Sequence, residues 1–325
     1  MRAGRIMLVL TLGRACALGA AAQTPAPTPA PTAISTTPRL HGYLQPRFQT
    51  VGDSASFLLR RARFTIEGDV TPWAAYRVQV EMRTLGAAAV PAASPVTLSA
   101  TDLMIRLRHG RWGGTVGQFR VPFSLESLLS STTLETNERS RIVNAAKRDI
   151  GVQAEWGVPG RLLVQAAMVN GKGPNRGTGT NPDNRMAYFA RALVTPVKGL
   201  DVGGALEGYS DSTGANVQGM YRAPRWTARA EYIRLHNRNT DVHTTGWYAL
   251  GGYYAVPQLL ELVGRVERFE PSDKIATGQF SGYLIGAQYF MKGDDFKIVA
   301  DYEWFGDQVV QMAGNRGIVQ LQMRW

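Results

Sequence analysis

The chain has 325 residues, of which 44% are hydrophobic and 19% are charged, and these proportions exclude an intrinsically disordered protein. A single cysteine excludes a disulfide-stabilised scaffold, and one cysteine with four histidines predicts no Cys/His zinc module, so we expect no metal and no cofactor. The 35 glycines and 17 prolines favour a turn-rich β protein. Despite a formal charge of +11, we expect no nucleic-acid partner, because basic and acidic residues are interleaved along the chain.

The N-terminal residues 1–22 have the pattern of a secretory signal peptide. Arg2 and Arg5 precede a short apolar run at residues 6–13, and Ala20–Ala22 offers a cleavage site of the A-x-A type. This apolar run is too short to cross a bilayer, since a membrane-spanning helix needs about 20 residues. Residues 23–38 alternate proline with small residues, which predicts an extended periplasmic linker before a folded domain at 39–325.

From residue 39 onward, apolar and polar side chains alternate with a period of two, which is typical of β-strands with two different faces. In residues 57–68, for example, Phe64 and Ile66 share one parity while Arg61 and Arg63 share the other. The pattern predicts sixteen strands, near residues 39–50, 57–70, 73–84, 100–109, 112–121, 149–157, 161–170, 185–195, 199–209, 214–222, 225–236, 244–255, 258–269, 279–290, 295–305 and 315–325.

Two architectures produce such alternation: a soluble sandwich, which buries the apolar face, and a transmembrane barrel, which turns that face to lipid. The connections alternate between short turns and mostly longer loops, the latter at 85–99, 122–148, 171–184, 237–243, 270–278 and 306–314. Short turns at one rim and long loops at the other are typical of outer-membrane barrels. We therefore predict an all-β fold, a closed antiparallel transmembrane β-barrel of about 16 strands with an aqueous channel.

Charge placement agrees with this prediction. Most basic residues have lumen parity, including Arg77, Arg106, Arg108 and Arg229. The exceptions Arg60, Arg234 and Arg268 each lie near the long-loop end of a strand. We expect these three side chains to face the headgroup region, where a charge costs much less than the about 2–4 kcal/mol of the bilayer midplane.

Several motifs resemble the phosphate-selective porin O and P family of outer-membrane porins. They are Val116–Glu126 (VGQFRVPFSLE), Glu138-Arg139-Ser140, Arg148-Asp149 with Gly151, Gly42–Phe48 (GYLQPRF) and Arg60–Phe64 (RRARF). The resemblance covers roughly residues 40–155. It implies a sixteen-stranded, trimeric channel in the bacterial outer membrane that favours anions, with phosphate or polyphosphate as the substrate class.

The resemblance also implies that the third long loop, at 122–148, folds into the barrel and narrows it. Ser124 is placed to cap a helical turn, and Leu125, Leu128 and Leu129 to pack against the wall. The candidate pore-constricting, anion-contacting residues are Arg139, Arg141, Lys147 and Arg148 on the loop, with Arg47, Arg61, Arg63 and Arg120 on the wall. Alternatively, Arg61 and Arg63 form ordinary ion pairs of the wall, Arg139 braces the loop by pairing with a carboxylate, and Glu138 orients the loop.

Two other functions remain open at this point, an outer-membrane β-barrel enzyme and an exported soluble β-rich binding protein. Barrel hydrolases need a histidine placed against a serine or an acid. His41, His109, His236 and His243 are expected to lie far apart, on the first strand, a short turn and an outer loop, so we predict no enzyme. The expected partners are small anionic solutes, outer-membrane lipid and two further copies of the chain in a homotrimer.

Overall fold

The computed structural model describes residues 36–83, 97–142, 148–177, 184–275, 278–306 and 314–325. The first eight strands are β1 (Arg39–Val51), β2 (Ser54–Thr71), β3 (Ala74–Arg83), β4 (Thr97–His109), β5 (Trp112–Arg120), β6 (Arg148–Val158), β7 (Leu162–Val169) and β8 (Ala187–Val197). The other eight are β9 (Leu200–Tyr209), β10 (Ser212–Arg222), β11 (Trp226–Asn237), β12 (Val242–Val256), β13 (Leu260–Glu270), β14 (Phe280–Lys292), β15 (Phe296–Gly306) and β16 (Arg316–Arg324). A single-turn helix, α1 (Leu125–Leu128), follows β5. Among the described residues, no helix has the length and apolar character needed to cross a membrane.

The sixteen strands form one closed antiparallel sheet, in which each strand pairs with its neighbours in sequence and β1 pairs with β16. At the closing seam, Gly42 and Trp325 exchange two backbone hydrogen bonds of 3.1 Å. The predicted barrel and its strand number are confirmed. The predicted signal peptide lies outside the described residues, and so does most of the predicted linker.

The two rims of the barrel differ in their connections. At the rim where β1 begins and β16 ends, every connection between strands has two or three residues. The opposite rim carries the long loops and is the outer rim of an outer-membrane barrel. Two of its connections, 52–53 and 210–211, are shorter than the sequence predicted, because β2 and β10 begin earlier and continue their ladders to the turn.

The outward face is apolar. Exposed aromatic side chains form one belt near the short-turn rim (Trp73, Trp112, Tyr221, Trp226, Tyr289 and Trp325) and a second near the outer rim (Phe57, Tyr188, Tyr232, Trp247, Tyr283 and Tyr302). Exposed aliphatic residues such as Leu103, Val116 and Val217 lie between the belts. An aliphatic band between two aromatic belts is the surface that a bilayer requires, so the sandwich alternative is wrong.

The inward face is less uniformly polar than the alternation predicted. A buried apolar cluster on the inside of the wall includes Val169, Ala187, Ile233 and Val263. The same cluster contains Val121, Phe123 and Ile142 of the connection between β5 and β6, so this connection packs on part of the inward face.

Candidate functional site

The connection between β5 and β6, residues 121–147, is hereafter called L3, and its described part, 121–142, lies inside the barrel. Phe123 is completely buried and its ring meets that of Phe189 on β8 edge-on, with centroids 6.3 Å apart. At the other end of this part, Ile142 packs against Gly246 on β12, where an added Cβ would collide with it. The inward position of the loop, which the resemblance implied, is therefore observed.

The helix α1 begins as the sequence predicted. The hydroxyl of Ser124 accepts a hydrogen bond of 3.3 Å from the amide of Ser127. Two further amides at this end, those of Leu125 and Glu126, donate to the carboxylate of Glu231 on β11 at 3.0 and 3.4 Å. A wall carboxylate thus satisfies donors that the first turn of a helix leaves without partners.

One arginine of the wall holds L3 at two points. Arg229 on β11 donates to Glu126 at 2.9 Å and to Glu135 at 2.5 Å, and the Arg229 and Glu126 side chains are completely buried. Its guanidinium also lies over the ring of Tyr248. Since the two carboxylates are nine residues apart in the loop, Arg229 fixes both sides of this bend.

Another part of the wall, formed by β15 and β16, holds the same loop. Lys297 on β15 donates to the carbonyl of Leu134 at 3.2 Å, and Asp301 on the same strand accepts from the amide of Asn137 at 2.6 Å. Gln322 on β16 donates to the carbonyl of Thr132 at 3.0 Å. L3 is therefore bound to the wall from several directions.

Glu138 of L3 lies among three arginines. Its carboxylate contacts Arg47 at 2.8 Å, Arg60 at 2.6 Å and Arg61 at 3.1 Å. Burial alone would raise the pKa of Glu138, but the charges of Arg61, Arg60 and Arg47 hold this pKa well below its ordinary value. Glu138 orients the loop, as one of our alternatives proposed.

The expected position of Arg60 in the headgroup region is wrong. A β-bulge between Gln45 and Pro46 makes Arg60 the extra residue of β2, between Leu59 and Arg61 in the register with β1. A bulge turns a side chain away from the face that simple alternation assigns to it. Arg60 consequently reaches Glu138 inside the barrel. By contrast, Arg234 and Arg268 lie on the outward face near the outer rim, as expected.

Arg120 and Arg139 both hold the turn after α1. Each donates to the carbonyl of Leu129, Arg120 at 2.6 Å and Arg139 at 2.7 Å. Arg139 also donates to the carbonyl of Glu126 at 2.9 Å, so it braces the loop through backbone oxygens rather than through a carboxylate. Burial, followed by the charge of Arg61, lowers the pKa of Arg139 to about 10, which leaves it charged at neutral pH.

The remaining candidates have different surroundings. Arg141 lies over the rings of Phe305 and Phe280, 4.5 and 5.3 Å from their centroids. Arg148, which the sequence analysis assigned to the loop, is the first residue of β6 and donates to Asp102 on β4 at 2.5 Å. Arg63 is paired with Glu81. Lys147 lies outside the described residues.

A cavity of about 350 Å³ lies between L3 and the wall formed by β1 to β6, and we call it the basic cavity. Its lining contains the five arginines Arg63, Arg77, Arg106, Arg108 and Arg120 but only the two carboxylates Asp102 and Glu155. Within the part of the chain that the structure describes, the guanidinium groups of Arg106 and Arg108 have no hydrogen bond or ion pair. These two charges are available to a solute.

A second cavity, of about 850 Å³, lies on the other side of the barrel between L3 and the wall formed by β10 to β15. It is lined by the three carboxylates Glu135, Glu261 and Asp294 and by the two basic residues Arg222 and Lys297. The space that L3 leaves open is therefore basic on one side of the loop and mildly acidic on the other.

Sequence reasoning assigned lumen parity to Arg77, Arg106, Arg108 and Arg229 but gave none of them a role. The structure distinguishes these arginines by their contacts. Arg229 forms ion pairs with L3, whereas Arg106 and Arg108 line the basic cavity beside this loop. One available signal was the spacing of Arg106 and Arg108, because two arginines of equal parity at the end of a strand point into the lumen together.

The expectation that the four histidines lie far apart is wrong for one pair. His236 on β11 and His243 on β12 are directly opposite each other, and their rings stack with centroids 4.2 Å apart. The strands continue further toward this turn than the pattern predicted, which brings His243 out of the loop and into the ladder.

Comparison with known proteins gives the family. A model of the family of phosphate-selective porins O and P matches residues 41–232, more than half of the chain. The chain belongs to this porin family. No curated protein matches the sequence of this porin.

Three solved structures illustrate the similarity of the fold. OmpF of Salmonella typhi, in complex with daunomycin, has a TM-score of 0.64 and 13% identity, over 89% of this porin and 97% of that chain. The outer-membrane channel DcaP of Acinetobacter baumannii has a TM-score of 0.62 and 11% identity, over 89% of this porin and 97% of that chain. OmpT of Vibrio cholerae, an outer-membrane protein in a trimer form, has a TM-score of 0.62 and 12% identity, over 89% of this porin and 99% of that chain. The family and the fold identify an outer-membrane channel of bacteria.

Proposed function

We propose that this porin is a passive diffusion channel that favours small anions, with phosphate-like oxyanions as the substrate class. The observation that carries the proposal is the basic cavity, in which five arginines face two carboxylates and the side chains of Arg106 and Arg108 have no partner among the described residues. A pore whose free charges are cationic attracts anions and repels cations.

The electrostatic attraction between these arginines and an anion is weak enough to allow conduction. One positive charge about 8 Å from an anion is worth roughly 0.5–2 kcal/mol for effective dielectric constants between about 80 and 20. A few such charges favour anions several-fold without retaining them, and a channel needs both binding and release.

The eight sequence-derived candidates fall into three groups in this proposal. Arg63 and Arg120 line the basic cavity and act on the solute directly. Arg47, Arg61 and Arg139 act indirectly, because their contacts with Glu138 and with loop carbonyls set the position of L3. Arg141 and Lys147 of L3 and Arg148 at the start of β6 are further proposed contributors to the attraction of anions.

The test is a planar-bilayer measurement of the reversal potential in a KCl gradient. We expect an anion-favouring reversal potential for the wild type and a shift toward zero for the R106Q/R108Q double variant. The matched control is R161Q/R225Q, which removes two exposed arginines at the same rim but outside the basic cavity, and which should behave as the wild type. A cation-favouring wild type would disprove the anion preference, and a protein without conductance would disprove the channel.

The loop cations are tested separately. Replacing Arg139, Arg141, Lys147 and Arg148 together by glutamine should lower the anion preference. An unchanged reversal potential would leave the selectivity with the wall arginines of the basic cavity. Adding inorganic phosphate to the KCl bath should reduce the chloride current if phosphate enters the same cavity, and this reduction should weaken in R106Q/R108Q.

We also propose a homotrimer without enzymatic activity. The trimer form of the similar Vibrio cholerae OmpT supports the first part of this proposal. Light scattering of the detergent-solubilised protein, corrected for detergent, tests the trimer, and hydrolysis of phospholipid or peptide by the pure protein would contradict the second part.

A further inference from the structure

Three potential metal ligands meet on the outward face of the barrel at the outer rim. They are His236 near the end of β11, Asp241 in the following turn and His243 near the start of β12. The Nε2 atom of His236 lies 3.1 Å from Oδ1 of Asp241, and one ligand atom from each of the three residues lies within 4.8 Å of the others.

The hairpin itself creates this arrangement. His236 and His243 form a direct cross-strand pair, so their side chains project from the same face of the sheet. The turn between them is fixed by Asn237, whose side-chain oxygen accepts hydrogen bonds of 3.0 and 3.2 Å from the amides of Asn239 and Thr240. Asp241 has a φ of 51°, a left-handed conformation that aspartate tolerates better than most residues.

This ligand set has a defined chemistry. Two imidazoles and one carboxylate suit borderline ions such as Zn²⁺, Ni²⁺ and Cu²⁺ rather than Mg²⁺ or Ca²⁺, which prefer oxygen ligands. Tetrahedral zinc with ligands at about 2.0–2.1 Å holds its donor atoms about 3.4 Å apart. The three side chains must therefore converge from separations of up to 4.8 Å, which rotation about their side-chain bonds can supply at this half-exposed turn.

Two protein cations compete for the same atoms. Nη2 of Arg234 lies 3.4 Å from Nδ1 of His243, and Nζ of Lys274 lies 3.2 Å from Oδ2 of Asp241. Asp273 is the other charged group here, and its carboxylate accepts a hydrogen bond of 3.0 Å from the amide of His243.

We propose that His236, Asp241 and His243 form a binding site for one transition-metal ion of the Zn²⁺ class on the outer rim of the barrel. The ion displaces Arg234 and Lys274 from the ligand atoms and links β11 to β12 across the turn. The site faces away from the lumen, so it is independent of the proposed conduction path.

The test is calorimetric titration of the folded, detergent-solubilised porin with ZnCl₂ near neutral pH. We expect saturable binding of one ion per chain, and an affinity lower by at least about tenfold in H236A, H243A and D241N, because each lacks one of three protein ligands. The control is H109A, which removes a histidine at the opposite rim and should bind as the wild type. With Cu²⁺ as the probe, electron paramagnetic resonance should show coupling to two nitrogen nuclei in the wild type and to one in H236A.

A variant that lacks the two competing cations should have a higher affinity for Zn²⁺. The R234Q/K274Q double variant removes both and should bind Zn²⁺ more tightly than the wild type. No saturable binding by this double variant would overturn the proposal, and so would equal losses in H109A and H236A. An unchanged chloride conductance in H236A would confirm that a loss of binding does not come from a damaged barrel.

Discussion

Arg60 and Glu138 are joined by two hydrogen bonds, from Nε to Oε1 at 2.6 Å and from Nη2 to Oε2 at 3.3 Å. This contact exists because β2 contains one residue more than β1 at the level of Pro46. Proline has no amide hydrogen for the ladder and is found in sheets mainly at edges or bulges. The bulge adds a third arginine to the two that alternation already directs toward Glu138.

Replacing Glu138 by glutamine should increase the anion preference of the channel. The change removes the only carboxylate that Arg47 and Arg61 contact among the described residues, and it leaves their charges uncompensated beside the loop. The measurement is the reversal potential in a KCl gradient. D295N is the control, since Asp295 pairs with Arg324 at the short-turn rim, away from L3. A preference equal to that of the wild type would mean that these arginines do not influence the permeating ion.

The ion pairs of Glu138 also predict how the conductance of the channel depends on pH. The folded-state pKa of Glu138 is depressed, so its contribution to holding L3 is complete at neutral pH and is lost only as the pH falls through that lowered value. We expect the difference in single-channel conductance between the wild type and E138Q to stay constant from neutral pH to about pH 4, the ordinary range of a glutamate, and to disappear only in stronger acid. A difference that disappears near neutral pH would contradict this assignment.

Replacing Arg229 by methionine should loosen L3. The change leaves Glu126 and Glu135 buried without their counter-ion, which costs about 3–5 kcal/mol for a buried pair that loses one partner. We expect a larger and noisier single-channel conductance and a lower unfolding temperature. The triple variant R229M/E126Q/E135Q removes the stranded charges and should recover part of the stability. R225M, which replaces an exposed arginine in the short turn before the same strand, is the control and should resemble the wild type.

Replacing Gly246 by valine should displace the end of the described part of L3. An added side chain would collide with Ile142, and overpacking of this kind costs about 1–3 kcal/mol. The I142A variant makes room, so G246V/I142A should be more stable than the sum of the two single changes allows. Gly251 on the same strand has nothing within 4 Å of an added Cβ, and G251V is the matched control. Additive effects in thermal unfolding would show that Gly246 and Ile142 do not meet.

Alternation revealed the faces of the strands, and with them the barrel, because lipid and water impose opposite demands on successive residues. It did not reveal the bulge, since a single inserted residue leaves the pattern on either side intact. It also did not reveal the partner of Glu126, because Arg229 is 103 residues away and a strand pattern carries no information on such contacts. The histidine pair was missed for a simpler reason, namely that the strand ends were placed at 236 and 244, which left His243 in a loop.

The attachment of L3 to several parts of the barrel wall has a mechanical consequence. A ring of sixteen strands encloses a space too wide for the side chains of its wall to fill, so distant strands have no direct contact. Here one chain segment ties Arg47 on β1 and Arg61 on β2 to Lys297 on β15 and Arg229 on β11. The segment that narrows the opening therefore also cross-links strands that are not neighbours in the sheet, so a change that releases it removes this bracing along with the constriction.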